Sequence, residues 1–206
     1  MAPTGSALLH EVAKRILAEY LRVDGATQIV VTQALRDEAA GVDLEYIRGA
    51  RKVSVKVKAD AYFGTDPAKS ANRDLPYYRA ETHSYGLESI ADTRTRAPGW
   101  IATSRADELF YYRLVIAQAE EDIAALMEGP DQVLFSELAV ERDELRIMSM
   151  RELSSWFDKT QDRYMPRPVV TDGRPAWYRI VPEKDVDAEV PGLRLVGPVF
   201  EGLRRR

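Results

Sequence analysis

A chain of 206 residues, 45% hydrophobic and 30% charged, suffices for one globular domain with a substantial core and room for an appendage. Cysteine is absent, which excludes disulfides and thiolate-held zinc or iron–sulfur centres, and two histidines leave oxygen as the main donor for any metal, the donor set of magnesium or manganese. The net charge of −4 is not the footprint of a protein that coats nucleic acid nonspecifically, and no apolar run reaches membrane-spanning length or forms a signal-peptide core, so a cytoplasmic protein without a membrane partner is expected.

From Ser6 to about Arg22 the apolar positions Leu9, Val12, Ala13, Ile16 and Tyr20 recur at helical spacing, with Ser6 as the N-cap and Gly25 closing the segment. Glu11 on this helix is an exposed polar position first and a weak site candidate second. Ile29 to Thr32 is a short β-prone run.

Gly41 to Asp60 then reads as a β-hairpin turning at Arg48-Gly-Ala-Arg51. Pairing the arms outward sets Asp43 opposite Lys56 and Glu45 opposite Ser54, with the second arm running to Tyr62 or Phe63. Directly opposed residues share a face. One face therefore holds Asp43, Glu45, Ser54, Lys56, Lys58 and Asp60, and the other holds Leu44, Tyr46, Val53, Val55 and Val57. Carboxylates facing lysines across a hairpin suit a divalent cation and a phosphate, while an ordinary hairpin with a solvated outer face has the same alternation.

Gly64 to about Tyr85 loses periodicity around Pro67, Asn72 and Pro76 and reads as a long excursion, where Tyr77, Tyr78 and Tyr85 either stack on bases or pin the loop to the body. His83 reads as a loop histidine. Leu109 to Ile116 is a buried strand, Glu120 to Met127 a short helix ended by Gly129-Pro130, and Val133 to Leu138 a strand. Met150 to Thr160 is helical, Pro166 and Pro168 break the chain, Ala176 to Val181 is the last strand, and the tail from Glu183 is irregular. Trp100, Trp156 and Trp177 are read as core or interface packing. Helices and strands mixed without strict alternation give an α+β (mixed α/β) class. The absence of a glycine-rich phosphate loop, a dinucleotide fingerprint and a Gly-x-Ser-x-Gly elbow disfavours kinases, dehydrogenases and α/β-hydrolases.

Asp43 on the first arm, Ser54-Val-Lys56 or Lys56-Val-Lys58 on the second, Lys58-Ala-Asp60, and Gly99…Ser104-Arg-Ala-Asp107 leading into Phe110-Tyr-Tyr112 resemble the PD-(D/E)xK nuclease superfamily over roughly residues 8–116. The resemblance implies a restriction-endonuclease-like core over 1–128, with a central mixed sheet and flanking helices. It leaves 129–206 as a strand and helix extension packed on the same domain, a candidate for partner binding or homodimerisation. It further implies a metal-dependent nuclease hydrolysing phosphodiesters, with DNA as substrate and magnesium or manganese as cofactor. Asp43, Lys56, Lys58 and Ser54 would be the catalytic set, and Asp43 with Glu45, Asp60, Glu81 or Glu88 the metal ligands. The sequence departs from the family pattern in one respect: no glutamate stands two residues before either lysine, its place being taken by Ser54 or Lys56. The alternative that follows is a noncatalytic nuclease-fold subunit for nucleic-acid binding or assembly. Arg48, Arg51, Lys52, Arg94 and Arg96 are the candidate nucleic-acid contacts, beside a further basic run at Arg204 to Arg206. Asp107 is assigned a structural hydrogen bond in the loop it shares with Ser104 rather than a role in catalysis.

Overall fold

The computed structural model describes residues 6–32, 41–61, 84–171 and 173–204. The chain is mixed α+β, with ten strands in two sheets among the described residues. It divides into two compact units: residues 1–61, 104–150 and 192–206 form the first, and 62–103 with 151–191 the second. Residues past 128 supply strands to both sheets, so a boundary at that point does not separate the units.

The first unit begins with α1 (Ser6–Val23). Leu8, Val12, Ala13, Ile16, Leu17 and Leu21 form its buried stripe. Gly25 ends it in the left-handed region at φ +84°, where the Ala26 N–H reaches the Leu21 carbonyl at 2.9 Å and closes the last turn. The unit's sheet runs β1 (Thr27–Val31), β2 (Leu44–Arg48), β3 (Arg51–Asp60), β6 (Glu108–Ile116), β7 (Val140–Ser149) and β10 (Arg194–Gly197), in that spatial order.

The hairpin of β2 and β3 has the register its alternation predicts, Glu45 against Ser54 and Arg48 against Arg51, with Gly49 at φ +64° in the two-residue turn. β3 ends at Asp60, short of Tyr62. β3 and β6 are parallel and every other pair in this sheet is antiparallel. Leu44, Tyr46, Val55, Val57, Phe110, Tyr112, Leu145 and Ile147 share one core with α1 and with α3 (Glu120–Glu128), α4 (Asp131–Glu137) and α7 (Phe200–Arg204). Arg15 fastens α3 to α1, donating to the Met127 carbonyl at 2.7 Å and the Gly129 carbonyl at 3.0 Å.

The second unit holds β4 (Ser84–Asp92), β5 (Ala97–Pro98), β8 (Pro166–Thr171) and β9 (Arg174–Pro182), ordered β5-β4-β9-β8. It also contains α2 (Trp100–Thr103), α6 (Glu183–Glu189) and nearly all of α5 (Met150–Thr160).

Three stretches differ from the sequence reading. Val133 to Leu138 is helical, because Leu134 and Leu138, one turn apart, are its buried positions while Val133 stays exposed. Pro166 and Pro168 lie within an edge strand instead of breaking the chain, since a missing N–H is tolerated on an unpaired edge. The tail from Glu183 is ordered into α6, β10 and α7. β10 pairs with β7, and the buried Asp143 of β7 accepts hydrogen bonds from the Val199 and Phe200 N–H groups at 2.7 and 3.0 Å, capping α7. No described helix is long and apolar enough to cross a membrane.

Candidate functional site

Asp43 immediately precedes β2 and is stitched to both neighbouring strands. Its N–H donates to the Val55 carbonyl at 2.8 Å, and its carbonyl accepts from the Thr32 N–H at 2.9 Å. Its side chain lies on the polar side of the hairpin. The Lys56 Nζ stands 3.0 Å from Oδ2, and the Val57 N–H donates to the same oxygen at 2.7 Å. His10, reaching over from α1, places Nε2 3.2 Å from Oδ1. Burial pushes the Asp43 carboxyl up, but the His10 hydrogen bond, the Lys56 charge and the Val57 N–H outweigh it and hold the group at about 2. It is therefore a permanent anion at neutral pH, held among donors.

The environment of this cluster is also polar. Lys14, one turn after His10 on α1, is buried, pairs with Glu11 at 2.7 Å and approaches the Thr32 carbonyl at 3.4 Å. The Ser-x-Ala-Asp segment braces the hairpin from the other side. Ser104 Oγ donates to the Gly41 carbonyl at 3.1 Å, and Gly41, at φ +61°, packs so closely on Ser104 that a Cβ would lie 3.2 Å from its Cα. Asp107 accepts from the Ser54 N–H at 2.9 Å and from Ser54 Oγ at 2.8 Å, with Arg51 at 3.4 Å. The hydrogen bonds from Ser54 hold its carboxyl below the usual range. Its partner is Ser54, not the Ser104 loop, and Ser54 is thereby engaged in joining β3 to the entry of β6.

The remaining expected site residues are dispersed. Glu45 pairs with Lys52 at 2.8 Å near the hairpin turn. Lys58 stands two residues beyond Lys56 and opposite Tyr111 of β6. Asp60 accepts the Tyr111 hydroxyl at 2.5 Å. Glu88 belongs to the second unit, where it accepts the Trp100 N–H at 3.1 Å and the Tyr178 hydroxyl at 3.2 Å. Glu81 and His83, with Tyr77 and Tyr78, lie outside the described residues.

Among the described residues no three histidine, aspartate or glutamate side chains converge as metal ligands. Asp43 and His10 offer two donors, and the described residues do not bring beside them the second carboxylate that a magnesium or manganese site needs. The described donor set does not fit that ion.

The basic candidates form two separate groups. Arg48, Arg51 and Lys52 surround the β2–β3 turn and pair with Asp24, Asp107 and Glu45. Arg94 and Arg96 occupy the β4–β5 turn, Arg94 holding Asp92 at 2.8 Å. Sequence reasoning passed over His10 and Lys14. Their signal was present, since two cationic-type side chains spaced i, i+4 on an amphipathic helix share a face.

No protein-family model matches this chain, nor does any curated protein or solved structure.

Proposed function

We propose that the protein is a noncatalytic nucleic-acid-binding subunit built on a restriction-endonuclease-like core. The observation that carries this reading is the state of Asp43. Asp43 lies beside Lys56, and its oxygens are taken up by Lys56, His10 and the Val57 N–H. A carboxylate balanced in this way positions Lys56 and His10, which serve as donors to a phosphodiester. The paired arginines and lysine of the β2–β3 turn exchange their carboxylate partners for backbone phosphates as DNA approaches.

A second reading, metal-dependent hydrolysis of DNA phosphodiesters, is favoured by the 3.0 Å Asp43–Lys56 pair at the position where the resemblance sets the catalytic aspartate and lysine.

One experiment separates them. Labelled duplex and single-stranded DNA are titrated by fluorescence anisotropy at several salt concentrations, and plasmid is incubated in parallel with magnesium or manganese, using wild type, Lys56→Met and Asp43→Asn. The binding subunit retains DNA with a salt-dependent affinity, loses about one unit of log–log salt slope in Lys56→Met, and leaves plasmid intact. Metal-dependent cleavage abolished by Asp43→Asn overturns this reading and installs the nuclease. A wild type that neither binds nor cuts DNA refutes both.

A further inference from the structure

The second unit is polarised in charge along its sheet. β9 runs from Arg174 to Pro182, roughly 27 Å. At its far end α6 begins at once and carries the carboxylates of Glu183, Asp185, Asp187 and Glu189. At its near end two turns lie side by side. Thr171 of β8 pairs with Arg174, so residues 172–173 form a two-residue turn, with Gly173 at φ +73°. On the other side of β9 the Thr93 N–H donates to the Pro175 carbonyl at 2.8 Å, which sets the turn between β4 and β5 beside Arg174. Strand order and register therefore bring Arg94, Arg96 and Arg174 to one end of the sheet, whichever face each side chain takes.

The three arginines are not equivalent. Arg94 builds its turn: its N–H donates to Asp92 Oδ1 at 2.9 Å, and its guanidinium grips the same carboxylate through Nε at 3.1 Å and Nη2 at 2.8 Å. That fork cancels both charges. Arg96 closes the turn at φ +57°, a region few residues with a Cβ adopt, and leads into β5. Among the described residues neither Arg96 nor Arg174 has a carboxylate partner, and both are exposed. Asp172, the acidic residue of the neighbouring turn, lies outside the described residues. The cations of the β2–β3 turn differ, since Arg48, Arg51 and Lys52 are each paired with a carboxylate. An exposed guanidinium whose charge is not cancelled offers a planar fork of donors that matches a phosphate bidentately.

We infer that the end of the second sheet, where the β4–β5 and β8–β9 turns meet, is a further phosphate contact for duplex DNA, with Arg96 and Arg174 as its donors. This rests on the nucleic-acid-binding reading given above and adds to the hairpin a contact whose charge is already uncompensated. Phosphates are common to every sequence, so the contact supplies affinity and orientation without base preference. The acidic α6 at the other end of β9 repels the same polyanion, so the unit meets DNA with its arginine end foremost.

The test titrates a fluorescein-labelled duplex with the full chain over a salt series, using wild type, Arg96→Gln/Arg174→Gln, Arg96→Lys/Arg174→Lys and Lys56→Met. The glutamine pair is expected to lower the log–log salt slope by about two and the affinity about tenfold or more at 0.1 M salt, equally for unrelated duplex sequences. The lysine pair keeps the charge and should keep most of the slope. Loss of slope in the lysine pair equal to that in the glutamine pair overturns the proposal, because the contact is then not one of charge. A wild-type slope in a folded glutamine pair, with Lys56→Met still reduced by about one, overturns it and leaves the hairpin reading standing. A wild type that does not bind duplex removes both. Binding to phosphatidylglycerol vesicles that the glutamine pair loses, with duplex affinity unchanged, overturns it by assigning this end of the sheet to a lipid surface.

Discussion

Replacing Asp43 by asparagine removes the charge at the centre of the site and keeps its shape. The carboxyl is lowered from its ordinary 3.8 to about 2 by His10, Lys56 and the Val57 N–H acting against burial. The folded protein therefore binds this proton less readily than the unfolded chain, so the stabilisation is complete above about pH 5 and disappears as the pH falls through about 2. The difference corresponds to about 2 kcal/mol at neutral pH. Urea denaturation of wild type and Asp43→Asn at a series of pH values reads this directly, because other carboxylates that titrate in the same window cancel between the two proteins. The expected gap is about 2 kcal/mol at pH 7, about 1 at pH 3 and a few tenths at pH 2. A gap below about 0.5 kcal/mol at pH 7, or one of equal size at pH 7 and pH 2, refutes the claim that Lys56 and His10 hold Asp43 as an anion.

Three further substitutions probe the fold. Leu17→Ala empties a fully buried position of α1 and should cost about 2–5 kcal/mol in urea denaturation, a loss below 1 kcal/mol being inconsistent with its burial. Asp143→Ala leaves the Tyr112 hydroxyl and the Val199 and Phe200 N–H groups without their acceptor in the core, so a loss of about 3 kcal/mol and faster amide exchange at residues 199 and 200 are expected. Gly99→Ala would place a Cβ 2.1 Å from the Glu88 carbonyl oxygen, a backbone atom that has to move. Destabilisation of about 1–3 kcal/mol is expected, with near-ultraviolet circular dichroism reporting the disturbance at Trp100.

The parts of this fold legible in the sequence are those set by local rules. Helix α1 follows from an apolar stripe at helical spacing and a glycine able to adopt φ +84° at its end. The β2–β3 hairpin follows from strict alternation and a two-residue turn, and one register then dictates that Asp43 faces Lys56. β7 was not legible, because Asp143 and Arg146 are buried in it and the buried Arg113 of β6 pairs with its Glu144 at 2.9 Å, so its polar residues do not mark the solvent face. β8 was obscured by two prolines that only an edge position tolerates.

For the site, sequence alone determined which carboxylate and which lysine meet, since neighbours across a hairpin are separated by a turn that local chemistry specifies. Tertiary structure decided what else reaches them. His10 comes to Asp43 from a helix 33 residues away, Asp107 takes Ser54 across 53 residues, and Glu88 goes to a different unit from the carboxylate it was expected to join. Those distances are set by how α1 packs on the sheet and by the two excursions of the chain between units, and packing of distant segments leaves no periodic mark on the residues that it brings together.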